Sequence, residues 1–406
     1  MLEFHEALEK ILKHVRRSLP VKLPLEDALG FVLAEEVKAR EPIPLFDSSS
    51  VDGYAVQVRD VQHASELRPV RLKLQSVVSA GVTPHQSLKP FHAIKIMTGA
   101  VLPQKADAVV MKELVEARGE EIIFSSPAKE GASLRRRGEE FAKREIVFQK
   151  GTCITPPVIG MCATLGLTSV KVYRKPRIAL VVNGNELRSP SSPLRRGQVR
   201  DSNSYALAAA LESAGVRPVL VLHAGDNKRT LTKAFARALK SADVVLSAGG
   251  VSVGDFDFVK EVLSDLRVRK IFWRVAMKPG KPNFFGTRGK KLIFGLPGNP
   301  VSAMVSLETL VMPALRKMMG SYTPDVLHDA VMDFDLKGAS GRIEFVRAFA
   351  SWSKEGVLTV KPASRQGSHM IGGLADANCL IVLPKEQDRV AKGDIVAIRF
   401  LSWNKI

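Results

Sequence analysis

Aromatic residues make up only 6% of this chain, so there are few platforms on which nucleobases could stack. Cysteine is scarcer still. Cys153, Cys162 and Cys379 are odd in number, show no C-x-x-C spacing and sit in apolar stretches of sequence, so three small core residues are expected rather than a disulfide framework or a thiol metal site. The eight histidines form no H-x-x-x-H or H-E-x-x-H pattern, which gives no support to zinc-protease chemistry. No apolar run approaches the roughly 20 residues that a membrane helix needs. The opening Met1-Leu-Glu-Phe-His5 lacks the basic and apolar regions of a secretory signal, so a cytoplasmic protein is expected.

Acidic residues are also in deficit, 41 against 60 Lys and Arg, for a net charge of +19. The distribution of that charge matters more than its size. Residues 176–320 hold 23 Lys and Arg against 10 Asp and Glu, which concentrates basic charge in one segment. Such charge around a pocket raises the local concentration of a small polyanion. No aromatic-interleaved basic stripe accompanies it, which argues against nucleic acid. With 45% hydrophobic residues in a chain of 406, there is material for three or four globular domains.

What is present in quantity is glycine-rich turns. Ser247-Ala-Gly-Gly-Val-Ser-Val-Gly-Asp-Phe-Asp257, Lys278-Pro-Gly-Lys-Pro282 and Gly295-Leu-Pro-Gly-Asn-Pro300 supply bare backbone N–H groups, two ammonium groups, two carboxylates and, at Ser252 within the first turn, a hydroxyl. Gly249, Gly250 and Gly254 can adopt positive φ and let a ligand approach the backbone. Asn299 is placed to cap a helix and Pro300 to begin it, and a helix start with unpaired N–H groups attracts phosphate or an oxyanion. Together the three turns describe a site for a phosphorylated anion.

Around them the pattern alternates. Arg177–Val182, Arg217–His223 and Val244–Ser247 read as buried strands, and Ser204–Ala214 and Arg229–Ser241 as helices. This predicts a parallel sheet with helices on both faces and ligands beyond the carboxyl ends of its strands. Earlier in the chain, helices are expected over Phe4–Ser18 and Pro24–Leu33, followed by an extended Glu41-Pro-Ile-Pro-Leu45 connector. Up to about Arg137 come short strands with turns at Asp52-Gly53, Ala80-Gly81 and Thr98-Gly99. A helix is expected from Pro156 to Leu165. Past Met319 the segments Arg342–Trp352, Val357–Pro362, Cys379–Leu383 and Ile395–Phe400 predict a small β-barrel or sandwich.

With these landmarks in view, the chain resembles the molybdopterin molybdenumtransferase (MoeA) family, to which the E domain of gephyrin is also similar. The matching stretches are Asp47-Ser-Ser-Ser-Val-Asp-Gly-Tyr-Ala55, Ile96-Met-Thr-Gly-Ala100, Arg135-Arg-Arg-Gly-Glu139, Gly184-Asn-Glu-Leu187, Asp201-Ser-Asn203, the three turns, Gly341-Arg-Ile-Glu-Phe345, Gln366-Gly-Ser368 and Ala377-Asn378. The resemblance implies a multidomain α/β and β fold. Its parts would be a discontinuous, dimer-forming linker domain (1–45 with 138–174), a β-rich insert (46–137), a doubly wound, MogA-like parallel-sheet domain (175–320) and a C-terminal β-barrel (321–406). It also implies a Mg2+-dependent transferase of molybdenum cofactor biosynthesis, which takes molybdate and adenylylated molybdopterin and releases AMP.

Site residues follow by the same resemblance. Ser252, Lys278, Lys281, Arg342 and Ser368 would hold molybdate, a tetrahedral dianion that suits ammonium and guanidinium donors. Glu186, Asp226 and Asp257 would hold the cation. Asp201, Ser202, Asn203, Gly249, Gly250, Pro297, Gly298, Asn299 and Pro300 would bind molybdopterin and AMP. Asp226, Asp257, Lys278 and Lys281 would take part in catalysis with Asp52 and Thr98, the last two supplied by a facing subunit of a homodimer or by a closing domain. From composition alone Asp226 could instead be a turn former in Gly225-Asp-Asn, and Asp52 could set the turn before Gly53. Molybdopterin adenylyltransferase and molybdoenzyme targets are the implied protein partners. Three departures from the family pattern stand out: Asn185 replaces a carboxylate, Glu140 replaces a shorter acid, and His369-Met-Ile-Gly372-Gly373 lacks the usual hydroxyls. A non-catalytic scaffold would have shed charged site residues, yet Lys278, Lys281, Asp226, Asp257 and Arg342 are all retained.

Overall fold

The computed structural model describes residues 1–250, 258–321, 324, 326–338 and 341–404. They fall into two compact units, one of residues 1–34, 151–159 and 169–406, the other of 35–150 and 160–168.

The first unit is built on a six-stranded sheet. Its strands are β1 (Ile178–Asn183), β2 (Leu220–Ala224), β3 (Val244–Ala248), β4 (Arg269–Trp273), β5 (Phe284–Arg288) and β6 (Lys291–Leu296), in the order β2-β1-β3-β6-β5-β4. The first four in that order run parallel, and β5 is antiparallel to both of its neighbours, β6 and β4. β1 and β3 are buried along their whole length, as a central strand covered on both faces must be. Helix α1 (Asn203–Ser213), α4 (Pro300–Ser306) and the N-terminal helix Phe4–His14 pack on one face through Leu207, Leu211, Val301, Phe4 and Ile11. Helices α2 (Lys228–Ser241) and α3 (Phe258–Asp265) cover the other through Leu231, Phe235, Leu239 and Val262.

The C-terminal segment closes into a barrel of five strands: β7 (His328–Met332), β8 (Ile343–Trp352), β9 (Leu358–Pro362), β10 (Cys379–Leu383) and β11 (Ile395–Phe400). Pairings run β8-β9-β7-β11-β10 and back to β8, so no edge is left open. The barrel alternative is therefore the right one, and β7 is a strand that sequence pattern did not pick out. A two-residue strand, Met277–Lys278, pairs with the start of β8 and fastens the Lys-Pro-Gly-Lys loop to the barrel.

The second unit holds a six-stranded sheet in the order Ala108–Met111, Gly53–Val56, His92–Ile96, Val70–Val78, Glu121–Phe124, Val115–Arg118. Here Gly53 opens a strand and does not make a turn. The carbonyl of Val110 crosses so close that a Cβ at position 53 would collide with it.

Three further expectations are corrected. Only Leu25–Asp27 of the second helix is helical, as one 3-10 turn, because Pro20–Pro24 is drawn into a strand against Ser169–Tyr173 and Gly30 turns the chain at φ +74°. Cys153 is exposed, whereas Cys162 and Cys379 are buried as expected. The side chain of Asn299 makes no hydrogen bond to its helix and reaches Ser368 instead.

Candidate functional site

Each parallel strand of the sheet ends in a loop on the same edge. The chain leaves β1 at Asn183, β2 at Ala224, β3 at Ala248 and β6 at Leu296. Because the chain runs from β1 out to β2 on one side and then crosses back past β1 to β3 on the other, a crevice opens at that edge, where α/β sheets bind ligands. It has a volume of about 730 Å³.

Glycines make its floor. Gly249 and Gly250 have φ of +97° and +63°, and a Cβ at 249 would lie 2.6 Å from the backbone oxygen of Asn183. A side chain could not be accommodated there without moving β1. The Asp201-Ser-Asn203 stretch forms one wall: Asp201 accepts hydrogen bonds from the N–H and hydroxyl of Ser204, which anchors the start of α1, and Asn203 Nδ2 donates to Gly298 O at 2.8 Å. All nine residues expected to bind molybdopterin and AMP line this single crevice, together with Glu186, Asp226 and His369.

Asp226 is fixed from three sides. Asn183 Nδ2 donates to Oδ1 at 3.0 Å, Asn185 N–H donates to Oδ2 at 2.9 Å, and the Asp226 N–H donates to Asn185 Oδ1 at 3.1 Å. It is thus a held carboxylate and not a loose turn residue. The amide of Asn185 joins this clamp. Among the described residues Asn183 Oδ1 is buried without a hydrogen-bond partner, and the Glu186 carboxylate folds over Gly184, where a Cβ would lie 2.8 Å from it. Two carboxylates and an amide oxygen around one crevice fit a hard divalent cation in donor type. Among the described residues no group of three His, Cys, Asp or Glu side chains is poised around a common point. Asp257, the third expected ligand, and Ser252 lie outside the described residues.

The expected oxyanion ligands lie along the barrel side. Ser368 Oγ accepts from Asn299 Nδ2 at 3.0 Å, and Ser368 O accepts from Val301 N–H at 3.1 Å, so the barrel loop is joined to the Pro-Gly-Asn-Pro turn. Lys278 pairs in register with Glu344, next but one to Arg342, and its Nζ lies 2.8 Å from Glu344 Oε1. Lys281 is exposed beside Pro282, which lines the crevice. The side chains of Lys278, Lys281 and Arg342 are not themselves in the crevice wall.

In the second unit Asp52 and Thr98 meet. Asp52 Oδ1 accepts from both the N–H and the hydroxyl of Thr98 at 2.9 Å, and Lys112 Nζ is 3.5 Å from Oδ2. The Thr98 N–H, then its hydroxyl, hold the Asp52 carboxyl below the usual carboxylate range, so it is ionised at neutral pH.

Sequence reasoning missed two residues. Asn183 is a polar residue ending an otherwise apolar buried strand, which is a readable signal. Glu344 has no such signal, since its contact with Lys278 depends on the pairing of a strand two residues long.

Comparisons with known proteins cover nearly the whole chain. Family models match for the MoeA N-terminal region (domain I and II) over residues 2–166, a probable molybdopterin binding domain over 179–317, and the MoeA C-terminal region (domain IV) over 329–401. The molybdopterin molybdenumtransferase of Haemophilus influenzae is 34% identical over 403 residues, covering 98% of each chain. That of Bacillus subtilis is 36% identical over 393 residues, covering 93% of this chain and 89% of its own. The solved molybdopterin biosynthesis MoeA protein from Pyrococcus horikoshii superposes with a TM-score of 0.85 at 30% identity, covering 99% of both chains.

Proposed function

The chain belongs to the molybdopterin molybdenumtransferase (MoeA) family, and from that premise we propose that it inserts molybdenum into molybdopterin, taking adenylylated molybdopterin and molybdate and releasing AMP. The observation that carries this reading is the convergence of Asp201-Ser-Asn203, Gly249-Gly250 and Pro297-Gly-Asn-Pro300 on one crevice.

The chemistry divides between the crevice and its barrel margin. Gly249 and Gly250 let the phosphates come against backbone N–H groups, and the helical run beginning at Pro300 adds N–H donors that favour negative charge. Asn203 and Asp201 hold the opposite wall in place. Lys278, Lys281, Arg342 and Ser368 receive molybdate, with Ser252 completing the set. Guanidinium and ammonium groups are suited to a tetrahedral dianion because each makes charge-assisted hydrogen bonds to its oxygens. Glu186, Asp226 and Asp257 would hold Mg2+, which when bound supplies charge neutralisation at the phosphates as the adenylate leaves. Asn183 and Asn185 keep Asp226 facing that position.

The linker, insert, α/β and barrel divisions at 1–45 with 138–174, 46–137, 175–320 and 321–406 belong to the same proposal. So does a homodimer in which Asp52 and Thr98 of one copy serve the crevice of the other. Among the described residues no helix is long and apolar enough to cross a membrane, in keeping with a cytoplasmic enzyme that receives its substrate from molybdopterin adenylyltransferase and passes cofactor to molybdoenzymes.

Purified protein incubated with adenylylated molybdopterin, molybdate and magnesium should release AMP in step with cofactor formation. Asp226→Asn should raise the magnesium concentration needed for half the rate. Failure to release AMP from the unaltered chain would sink the functional reading, while a magnesium-independent Asp226→Asn variant would sink only the cation assignment. Light scattering that returns a monomer at micromolar concentration would remove the shared site.

A further inference from the structure

The Lys278–Glu344 pair is an unexpected feature of a pocket meant for a dianion. Parallel pairing of Met277–Lys278 with Ile343–Glu344 sets the two residues opposite each other. The ammonium then lies 2.8 Å from Glu344 Oε1, with the Glu344 side chain only 11% exposed and that of Lys278 44% exposed. A carboxylate so withdrawn from water needs a compensating cation, and Lys278 provides it. One of the three ammonium donors is thereby engaged before any oxyanion arrives.

We infer that Glu344 is a positioning residue of the oxyanion site. It fixes the Lys278 ammonium at the start of the barrel strand that follows Arg342 and, by its own charge, lowers the resting affinity for a free dianion. The inference rests on the functional reading above, in which Lys278 contacts molybdate. Its two effects separate by substitution. Glu344→Gln keeps an oxygen to accept from Lys278 but removes the negative charge. Glu344→Asp keeps the charge but withdraws it by one methylene, so the ammonium is no longer held.

The test is the molybdate dependence of AMP release by full-length protein, with circular dichroism and a melting curve to verify folding. In Glu344→Gln the half-saturating molybdate concentration should fall by about tenfold, the order expected on removing one like charge a few ångströms from a dianion at a partly solvated site. In Glu344→Asp it should rise by about as much, with kcat changed less than KM in both variants. A residue needed only for folding would shift both variants in the same direction, with loss of melting temperature. Equal molybdate dependence in all three proteins, or shifts of the same sign, overturns the inference. If the unaltered chain releases no AMP, the functional reading fails and takes this inference with it.

Discussion

Replacing Gly249 by alanine tests whether the crevice floor is what the geometry says. Two costs add. The backbone sits at φ +97°, where an L side chain is strained by about 1 to 2 kcal/mol. The new Cβ would also lie 2.6 Å from the backbone oxygen of Asn183, which is the last residue of a central strand and cannot swing aside as a flexible side chain would. Overpacking of that kind costs about 1 to 3 kcal/mol more. Gly289 makes the control: φ is +60°, but no atom lies within 4 Å of its would-be Cβ. Gly289→Ala should therefore lose about 1 kcal/mol through backbone strain alone and leave AMP release untouched. Gly249→Ala should lose about 2 to 5 kcal/mol and, because Asn183 clamps Asp226, slow AMP release by about ten- to a hundredfold. Thermal melts read the first effect and single-turnover assays the second. If Gly249→Ala melts and turns over like the Gly289 variant, the close approach does not exist in solution.

Two other outcomes follow from burial and charge. Brief iodoacetamide treatment of the native protein should label Cys153 alone, since burial raises the pKa of the Cys162 thiol and pushes that of Cys379 up to about 12. Labelling of all three by mass spectrometry before unfolding would contradict this. Asp243→Asn probes the clasp at the start of β3, where the carboxylate accepts from Arg174 Nη1 at 2.9 Å and Arg177 N–H at 2.8 Å. Burial alone would raise the Asp243 carboxyl, but the two arginines bring it below the ordinary value. A depressed folded value means the contribution is present above the unfolded carboxylate pKa of about 4 and lost as pH falls through the folded one. The variant should thus be less stable by about 1 to 2 kcal/mol at neutral pH, a figure trimmed for partial exposure of Arg174, with the gap closing in acid. A gap of equal size at pH 7 and in strong acid would refute the pairing.

Strands β1, β2 and β3 were legible because they are short apolar runs separated by helical segments, and each signal is local, whereas β4, β5 and β6 were not read. Strand β7 was not: His328-Asp-Ala-Val-Met332 is half polar and becomes a strand only by closing the barrel between β9 and β11. The lost helix after Pro24 is the converse case, in which non-local bridges of Val32 to Cys153 and Leu33 to Val172 outweigh a weak helical preference. At the site, the glycine turns could be read because their chemistry is carried by residue type, and the Asp-Ser-Asn stretch through its resemblance to the family. The Asp226 clamp and the Lys278–Glu344 pair could not, since they depend on which strand end lies beside which.

What fastens the barrel is therefore part of the site. Ser368 meets Asn299 and the N–H of Val301, Lys278 meets Glu344, and a third attachment lies deeper. There Glu308 sits in the wide π turn Leu307–Val311 that precedes Pro313, a place where a helix can tolerate the missing N–H. Its carboxylate is 1% exposed, accepts from Ser402 Oγ at 2.6 Å and lies 3.4 Å from Arg399 Nη2, both at the C-terminal end of the chain. Burial raises its carboxyl pKa, while Arg399 and Ser402 oppose that shift. Such a buried pair gives little net stability against an apolar alternative, but removing either partner would leave the other charge buried without compensation. A barrel held in one geometry is what the proposed oxyanion pocket would require, because Arg342 and Ser368 come from the barrel segment while Lys278 and Lys281 come from the loop that pairs with it.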